Sequence, residues 1–167
     1  MGGKSGGSIS WSDMQRLESV AKDKLSQAAA EEAKHVFISF AYEDMAEVNL
    51  LRGQAKNETN DLIFDDYSVK ESINSKNADY IKRQIREKID RVSVTVVYLS
   101  QHANKSDWVN WEIEESFRRG KGVIGVFKDD HPPTTVPPAF LANKCKAVKW
   151  SHAGIMQALD NASKRSR

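Results

Sequence analysis

The pattern of hydrophobic and polar residues changes period several times along the chain. Short apolar runs, typical of buried strands, alternate with segments in which apolar residues recur every three or four positions, as in helices. Five runs predict strands: HVFISF (35–40), DLIFDD (61–66), SVTVVYLS (93–100), GVIGVF (122–127) and KAVKW (146–150). Because helical segments separate these strands, the pattern predicts a flavodoxin-like three-layer α/β sandwich with a five-stranded parallel sheet.

The N-terminal region follows a different pattern. Its first residues show no apolar period, and a helix is predicted next, with Met14, Leu17, Ala21 and Leu25 on a narrow stripe. This stripe could pack on the domain or on a copy of itself, and the sequence does not decide between them. We therefore divide the chain into a flexible leader, an amphipathic helix, an α/β domain and a basic tail: 1–11, 12–33, 34–163 and 164–167.

Composition narrows the function classes. The chain has 167 residues, 29% of them charged, and a net charge of +2, which gives no electrostatic case for a nucleic-acid or membrane partner. The single cysteine, Cys145, excludes an internal disulfide and fits a reducing, cytoplasmic location. The four histidines show no metal-ligand spacing.

Candidate chemistry lies in the stretch SDWVNWEIEESF (106–117). Read as a helix, it buries a stripe made of Val109, Ile113 and Phe117. Trp108 and Glu112 share one flank of that stripe, so Glu112 is predicted to be half-buried beside an aromatic ring, where the pKa of a carboxyl is perturbed. The alternative is an ordinary boundary glutamate. Trp111 points away from the stripe and is predicted to be a surface or interface aromatic.

Two motifs carry a resemblance to a known family. HVFISFAYEDM (35–45) resembles the opening of a Toll/interleukin-1 receptor (TIR) domain. SDWVNWE (106–112) resembles the Trp-x-x-x-Glu signature of TIR domains that cleave NAD, with Trp108 and Glu112 on the signature positions. The order of elements also agrees, and the chain is most similar to bacterial antiphage TIR proteins of the Thoeris type. Unlike many receptor TIR domains, it has no proline or glycine in the loop after the second strand.

The resemblance implies an enzyme that cleaves the nicotinamide–ribose bond of NAD+ and releases nicotinamide and linear or cyclic ADP-ribose, as an immune signal. Glu112 would be the catalytic carboxylate, and NAD+ the substrate, with no metal or other cofactor. The resemblance places substrate contacts at seven positions: Phe40, Ala41, Tyr42, Asp44, Asp66, Tyr67 and Trp108. A core role for Phe40 and simple turn polarity for Asp66 and Tyr67 stay open. Expected partners are further copies of the chain in the active state and an effector that senses the product.

Two other functions remain open. A non-catalytic TIR scaffold would act by self-association and would tolerate Glu112→Gln. A nucleoside-processing enzyme of related fold would also place a carboxylate beside a sugar. A receiver-like signalling domain is excluded, because the third predicted strand ends in YLS (98–100) without a phosphorylatable aspartate.

Overall fold

The computed structural model describes residues 7–32, 34–58 and 61–165, and side chains of 7–25, 34–57 and 61–164. It forms two compact units, Met1–Ala33 and Lys34–Arg167. In the first unit, helix α1 spans Trp11–Glu32. No helix in the described ranges combines the length and the apolar character that crossing a membrane requires.

The second unit is built on a parallel sheet. Its strands are β1 (Lys34–Ser39), β2 (Leu62–Asp65), β3 (Val94–Tyr98), β4 (Gly122–Phe127) and β5 (Lys146–Lys149). They lie in the order β2-β1-β3-β4-β5, and every neighbouring pair is parallel. This order confirms the flavodoxin-like prediction and puts the switch point, where such folds bind ligands, between β1 and β3.

Helices cover both faces of the sheet. They are α2 (Met45–Glu58), α3 (Ala78–Asp90), α4 (Asp107–Arg118), α5 (Pro138–Ala142) and α6 (His152–Arg165). The short helix α5 was not predicted, because five residues are too few to show a helical period. Its signal was local: Pro138 occupies the first turn, where proline fixes a helical φ and no hydrogen bond is lost.

The alternation of side chains along β1 separates the two faces. Val36 and Ile38 point to a core cluster with α2 and α6. Phe37 points the other way, to a cluster with α3 and α4, and Ser39 follows it with the same parity. The alternation along β1 therefore decides which face of the sheet each side chain at the end of the strand points to.

One close approach in the sheet requires a glycine. A Cβ on Gly125 of β4 would lie 2.6 Å from the ring of Phe140 and 2.7 Å from Leu99. Helix α5 consequently packs directly against the backbone of β4.

Candidate active site

The loops after β1 and β3 are joined at the carboxyl edge of the sheet. The Ser100 hydroxyl donates a short hydrogen bond to Asp44, and its Oγ accepts from the backbone N–H groups of His102 (3.1 Å) and Ala103 (3.2 Å). Burial raises the pKa of the Asp44 carboxyl, and the Ser100 hydroxyl offsets part of that rise. Asp44 thus fixes the loop that carries the predicted substrate positions.

Glu112 lies deeper than the sequence predicts. Helix α4 begins at a capped end, where Ser106 Oγ accepts from the N–H of Val109 (3.2 Å), and Glu112 follows with only 3% of its surface exposed. Burial raises the pKa of this carboxyl well above its usual value, and the negative charge of Asp66 raises it further. Burial here therefore disfavours the ionised form of Glu112 relative to a carboxyl in water.

Ser39 is the neighbour that sequence reasoning missed. Its hydroxyl opposes part of the rise in the pKa of Glu112, yet Ser39 Oγ makes no hydrogen bond of normal geometry within the described residues. We attribute its effect to proximity rather than to a formed hydrogen bond. The signal was present in HVFISF: Ser39 has the parity of Phe37, so a hydroxyl faces α4 from an otherwise apolar strand.

The backbone beneath Glu112 is anchored to the sheet. Ser116 Oγ donates to the carbonyl oxygen of Glu112 (2.7 Å) and lies 2.7 Å from Thr95 Oγ1 on β3. Since the one proton of the Ser116 hydroxyl is used on Glu112, Thr95 must be the donor in the second bond. Both residues are fully buried. These two hydrogen bonds therefore fix α4 against β3 at the turn that carries Glu112.

Residues 66–77, here called the β2–α3 segment, pack against the first turn of α4. The indole Nε1 of Trp108 donates to the carbonyl oxygen of Glu71 (2.7 Å). Tyr67 is half-buried against the cluster that contains Trp108. Asp66 pairs with Arg52 (Nη1–Oδ1 2.5 Å). The β2–α3 segment therefore lies beside Glu112, fixed at its start by the ion pair of Asp66 and in its middle by the hydrogen bond to Glu71.

The prediction that Trp111 lies on the surface is wrong. Only 9% of this residue is exposed, and its ring meets Trp108 edge-on, with centroids 5.8 Å apart and planes at 86°. Lys82 and Arg86 of α3 cover the other side at 5.6 and 5.4 Å from the ring centroid. The α4 pattern alone could not show this, because the neighbouring helix supplies the cover.

The three predicted substrate positions directly after β1 lie in different environments. Tyr42 is exposed, and Lys70 Nζ of the β2–α3 segment stands 5.5 Å from its ring centroid. Ala41 is completely buried, and Phe40 packs against the cluster of α2 and α6, on the other face of the sheet. The structure thus groups Glu112 with Asp66, Tyr67 and Trp108, with Tyr42 beside the segment; Phe40 packs elsewhere.

Glu115 is buried on the same helix but differs in its electrostatics. Arg86 (2.9 Å), Arg118 (3.0 Å) and Arg119 (3.1 Å) all bind its carboxylate. Burial raises the pKa of Glu115, but the hydrogen bonds from Arg86 and Arg119 outweigh that rise, so its pKa lies below the usual value. Glu115 joins α3 to α4 through these ion pairs. For Glu112, by contrast, the groups that shift the pKa of the carboxyl are burial, Ser39 and Asp66, and none of them is a cation.

Glu112 lines none of three prominent cavities on the described surface. The largest of these three, about 570 Å³, lies at the start of β4 and β5 beside α6 and contains no predicted site residue. A second, about 460 Å³, is lined by the β2–α3 segment, including Tyr67, and by Tyr80 of α3. The segment that packs beside Glu112 therefore has open space on its outer side.

These features define the class of the protein. A five-stranded parallel sheet in this order, with a tryptophan one turn before a buried glutamate after β3, is the arrangement of a TIR-type domain. A family model described as "Thoeris protein ThsB, TIR-like domain" matches residues 37–132, more than half of the chain. The chain belongs to this family.

A curated relative is also similar in sequence. The chain is 32% identical over 108 residues to a Bacillus cereus (strain MSX-D12) protein named "Putative cyclic ADP-D-ribose synthase ThsB1", a match that covers 59% of this chain and 56% of that relative. The chain thus spans little more than half of that relative's length.

Two solved structures are also similar. The TIR domain of the Toll-related receptor TRR-2 from Hydra magnipapillata is 16% identical with a TM-score of 0.48, covering 78% of this chain and 94% of that chain. The TIR domains of the activated Roq1 resistosome are 19% identical with a TM-score of 0.43, covering 80% and 84%.

Proposed function

We propose that this chain cleaves the bond between nicotinamide and ribose in NAD+, releasing nicotinamide and linear or cyclic ADP-ribose, and that the product is an antiphage signal. The observation that carries the proposal is Glu112, a buried carboxyl placed one turn after Trp108 at the switch point of the sheet. Membership of the ThsB TIR-like family, and the name of the Bacillus cereus relative, support this substrate.

The proposed reaction requires one catalytic carboxylate from the protein. The C1′–N bond breaks with its electron pair going to nicotinamide, which leaves as a neutral molecule, and the ribose becomes oxocarbenium-like. An ionised Glu112 stabilises that positive charge. Water then forms the new C1′–O bond and loses a proton, or a nitrogen of the adenine ring attacks C1′ to close the cycle. That the reaction needs no metal stays a prediction.

The raised pKa of Glu112 fits this scheme. The nicotinamide ring of NAD+ is cationic, so its arrival beside Glu112 favours the ionised carboxylate and lowers the pKa that burial has raised. The substrate would thereby favour the ionised form of its own catalytic group, which burial disfavours while the site is empty.

Because Glu112 is buried in this structure, substrate access would require part of the protein to move, and the neighbouring β2–α3 segment is the element that we propose moves. The Trp108–Glu71 hydrogen bond holds the segment. Trp108→Phe removes the donor and keeps an aromatic ring. We expect this variant to change KM for NAD+ while leaving the Glu112 requirement intact.

The test is nicotinamide release from NAD+, followed by chromatography at high protein concentration. Glu112→Gln should lower the rate by about a hundredfold or more, whereas Glu114→Gln, an exposed glutamate on the same helix, should retain it. Equal rates for wild type and Glu112→Gln would remove Glu112 from catalysis. The further chromatographic peaks distinguish a linear from a cyclic product.

A second candidate is a non-catalytic TIR scaffold. The observation that favours it is the closure of Glu112, which none of the three cavities reaches. A scaffold releases no nicotinamide at any protein concentration and assembles equally well with Glu112→Gln, so the same pair of proteins decides between the two functions.

A further inference from the structure

The largest of the three cavities has no part in the proposed reaction. This cavity, about 570 Å³ and called here the β4–β5 cavity, lies where β4 and β5 begin, beside α6. That edge of the sheet is opposite to the carboxyl edge, where the loops after β1 and β3 meet. The volume is in the range of about 300–1,000 Å³ that is usual for small-molecule sites, and the described lining residues all belong to the α/β unit.

Small and aliphatic side chains give the β4–β5 cavity its apolar character. Gly154, Ala158 and Ala162 line it from α6 and recur every four residues. Since residues four apart lie on one face of a helix, successive turns of α6 carry nothing longer than a methyl group on this side. Ile124 of β4 and Val148 of β5 line the cavity from the sheet. An apolar ligand body therefore has both a floor and a wall to contact.

The charged residues of the β4–β5 cavity are all cations. Lys121, Lys144 and Lys146 line it, and none of the described lining residues is acidic. Lys121 Nζ donates to the backbone carbonyl oxygen of Asp90 (3.2 Å). The side chains of Lys144 and Lys146, by contrast, make no hydrogen bond or ion pair with any described residue. Neutral amides complete the polar lining: Asn143, Gln157 and Asn161.

Lys144 has a backbone conformation that lysine seldom adopts. Its φ is 52°, in the left-handed region, and among the described residues other than glycine it alone has a positive φ. Glycine or asparagine takes this conformation at lower cost, because the Cβ of other residues crowds the backbone. Strained residues of this kind cluster at functional sites. The turn between α5 and β5 thus carries a cationic side chain at the cavity where a glycine would fit more easily.

We propose that the β4–β5 cavity binds a small organic anion, with its apolar body between α6 and the sheet and its charged group beside Lys144 and Lys146. Carboxylates, sulfonates and phosphate monoesters with an aromatic or aliphatic body share this chemistry. An uncharged apolar molecule would forgo the attraction to the two lysines. An inorganic anion would forgo the apolar contacts, which supply most of the affinity in sites of this kind.

The single cysteine of the chain reports on occupancy of the cavity. Cys145 lines it and is partly exposed, so a bound ligand should slow its alkylation by iodoacetamide, followed by mass spectrometry on the full chain at pH 8 and constant ionic strength. Anilinonaphthalenesulfonate supplies apolar rings and an anion, phenylnaphthylamine supplies the rings alone, and sulfate supplies the anion alone. The sulfonate should slow labelling about tenfold at about ten times its Kd. The other two probes at the same concentration should slow it less than about twofold.

Matched variants locate the bound sulfonate. Lys146→Gln should raise its Kd about threefold, and adding Lys144→Asn, which suits a left-handed φ, should raise it about tenfold in total. Lys149→Gln, on the same strand but outside the cavity, should leave Kd unchanged. Ala158→Phe fills the cavity and should abolish the protection, whereas Ala153→Phe, at an exposed position of the same helix outside the lining, should retain it. Circular dichroism confirms that each variant is folded.

Each other result overturns the proposal. Equal protection by phenylnaphthylamine indicates an apolar cavity with no preference for anions, and equal protection by sulfate indicates a simple anion site. Protection that persists in folded Ala158→Phe, or in the double lysine variant if Ala158→Phe does not fold, indicates that the sulfonate binds elsewhere. No protection up to about 1 mM indicates that the cavity takes no such ligand. The proposal does not depend on NAD+ cleavage, which is assayed separately.

Discussion

Replacing Glu112 by glutamine should stabilise the protein increasingly as the pH rises. Glutamine keeps the size of the carboxyl but cannot ionise. Because burial raises the pKa of Glu112 well above 4.5, the folded protein retains a proton there that the unfolded chain has lost. Between the unfolded pKa and the raised folded pKa, wild type therefore loses about 1.4 kcal/mol of unfolding free energy per pH unit relative to Glu112→Gln.

The sign follows from the two protonation states. Below about pH 4.5 the carboxyl is protonated in both states, and the wild type keeps its full stability. As the pH rises toward the folded pKa, ionisation favours the unfolded chain, and that stability is lost. The variant, having no proton to lose at this position, does not share the decline.

Urea unfolding at several pH values between about 5 and about 7 measures the difference. Glu114→Gln is the matched control, and its unfolding free energy should stay within about 0.5 kcal/mol of wild type. If the difference between wild type and Glu112→Gln does not change with pH, the carboxyl is ordinary and the argument from burial fails. A variant that is both more stable and inactive would show that the site trades stability for function.

Further predictions concern Glu115, two glycines and the cysteine. Glu115→Gln should cost about 2 kcal/mol near neutral pH, because three arginines lose an ionised partner; this cost should diminish as the pH falls through the depressed pKa, and urea titrations at both ends of the range measure it. Gly125→Ala should cost about 1–3 kcal/mol by overpacking against Phe140, whereas Gly53→Ala, a helical position with open space, should gain about 0.5–1 kcal/mol. Burial raises the pKa of Cys145 to about 11; iodoacetamide labelling at pH 8 should therefore be about 200-fold slower in the folded protein than in urea, and equal rates would contradict it.

The sheet could be predicted from the sequence because each strand carries its own signal. Runs such as SVTVVYLS need no neighbour to be recognised, and the order of the strands is the one that belongs to the predicted flavodoxin-like fold. The pairing of Trp108 with Glu112 is equally local, since four residues form about one helical turn.

Contacts between elements could not be predicted in this way. Trp111 is buried because Lys82 and Arg86 come from another helix, and one helix pattern contains no information on what packs beside it. The depth of Glu112 likewise depends on β1 and on the β2–α3 segment. Ser39 could have been placed by parity, but only after its face had been assigned to α4.

The hydrogen bond from Trp108 ends on a main-chain carbonyl rather than on a side chain. Substitutions along the β2–α3 segment can therefore alter its charge, bulk and stiffness and still leave this attachment in place, provided that the backbone at position 71 keeps its path. The covering of the glutamate can thus change in sequence independently of the helix that carries it.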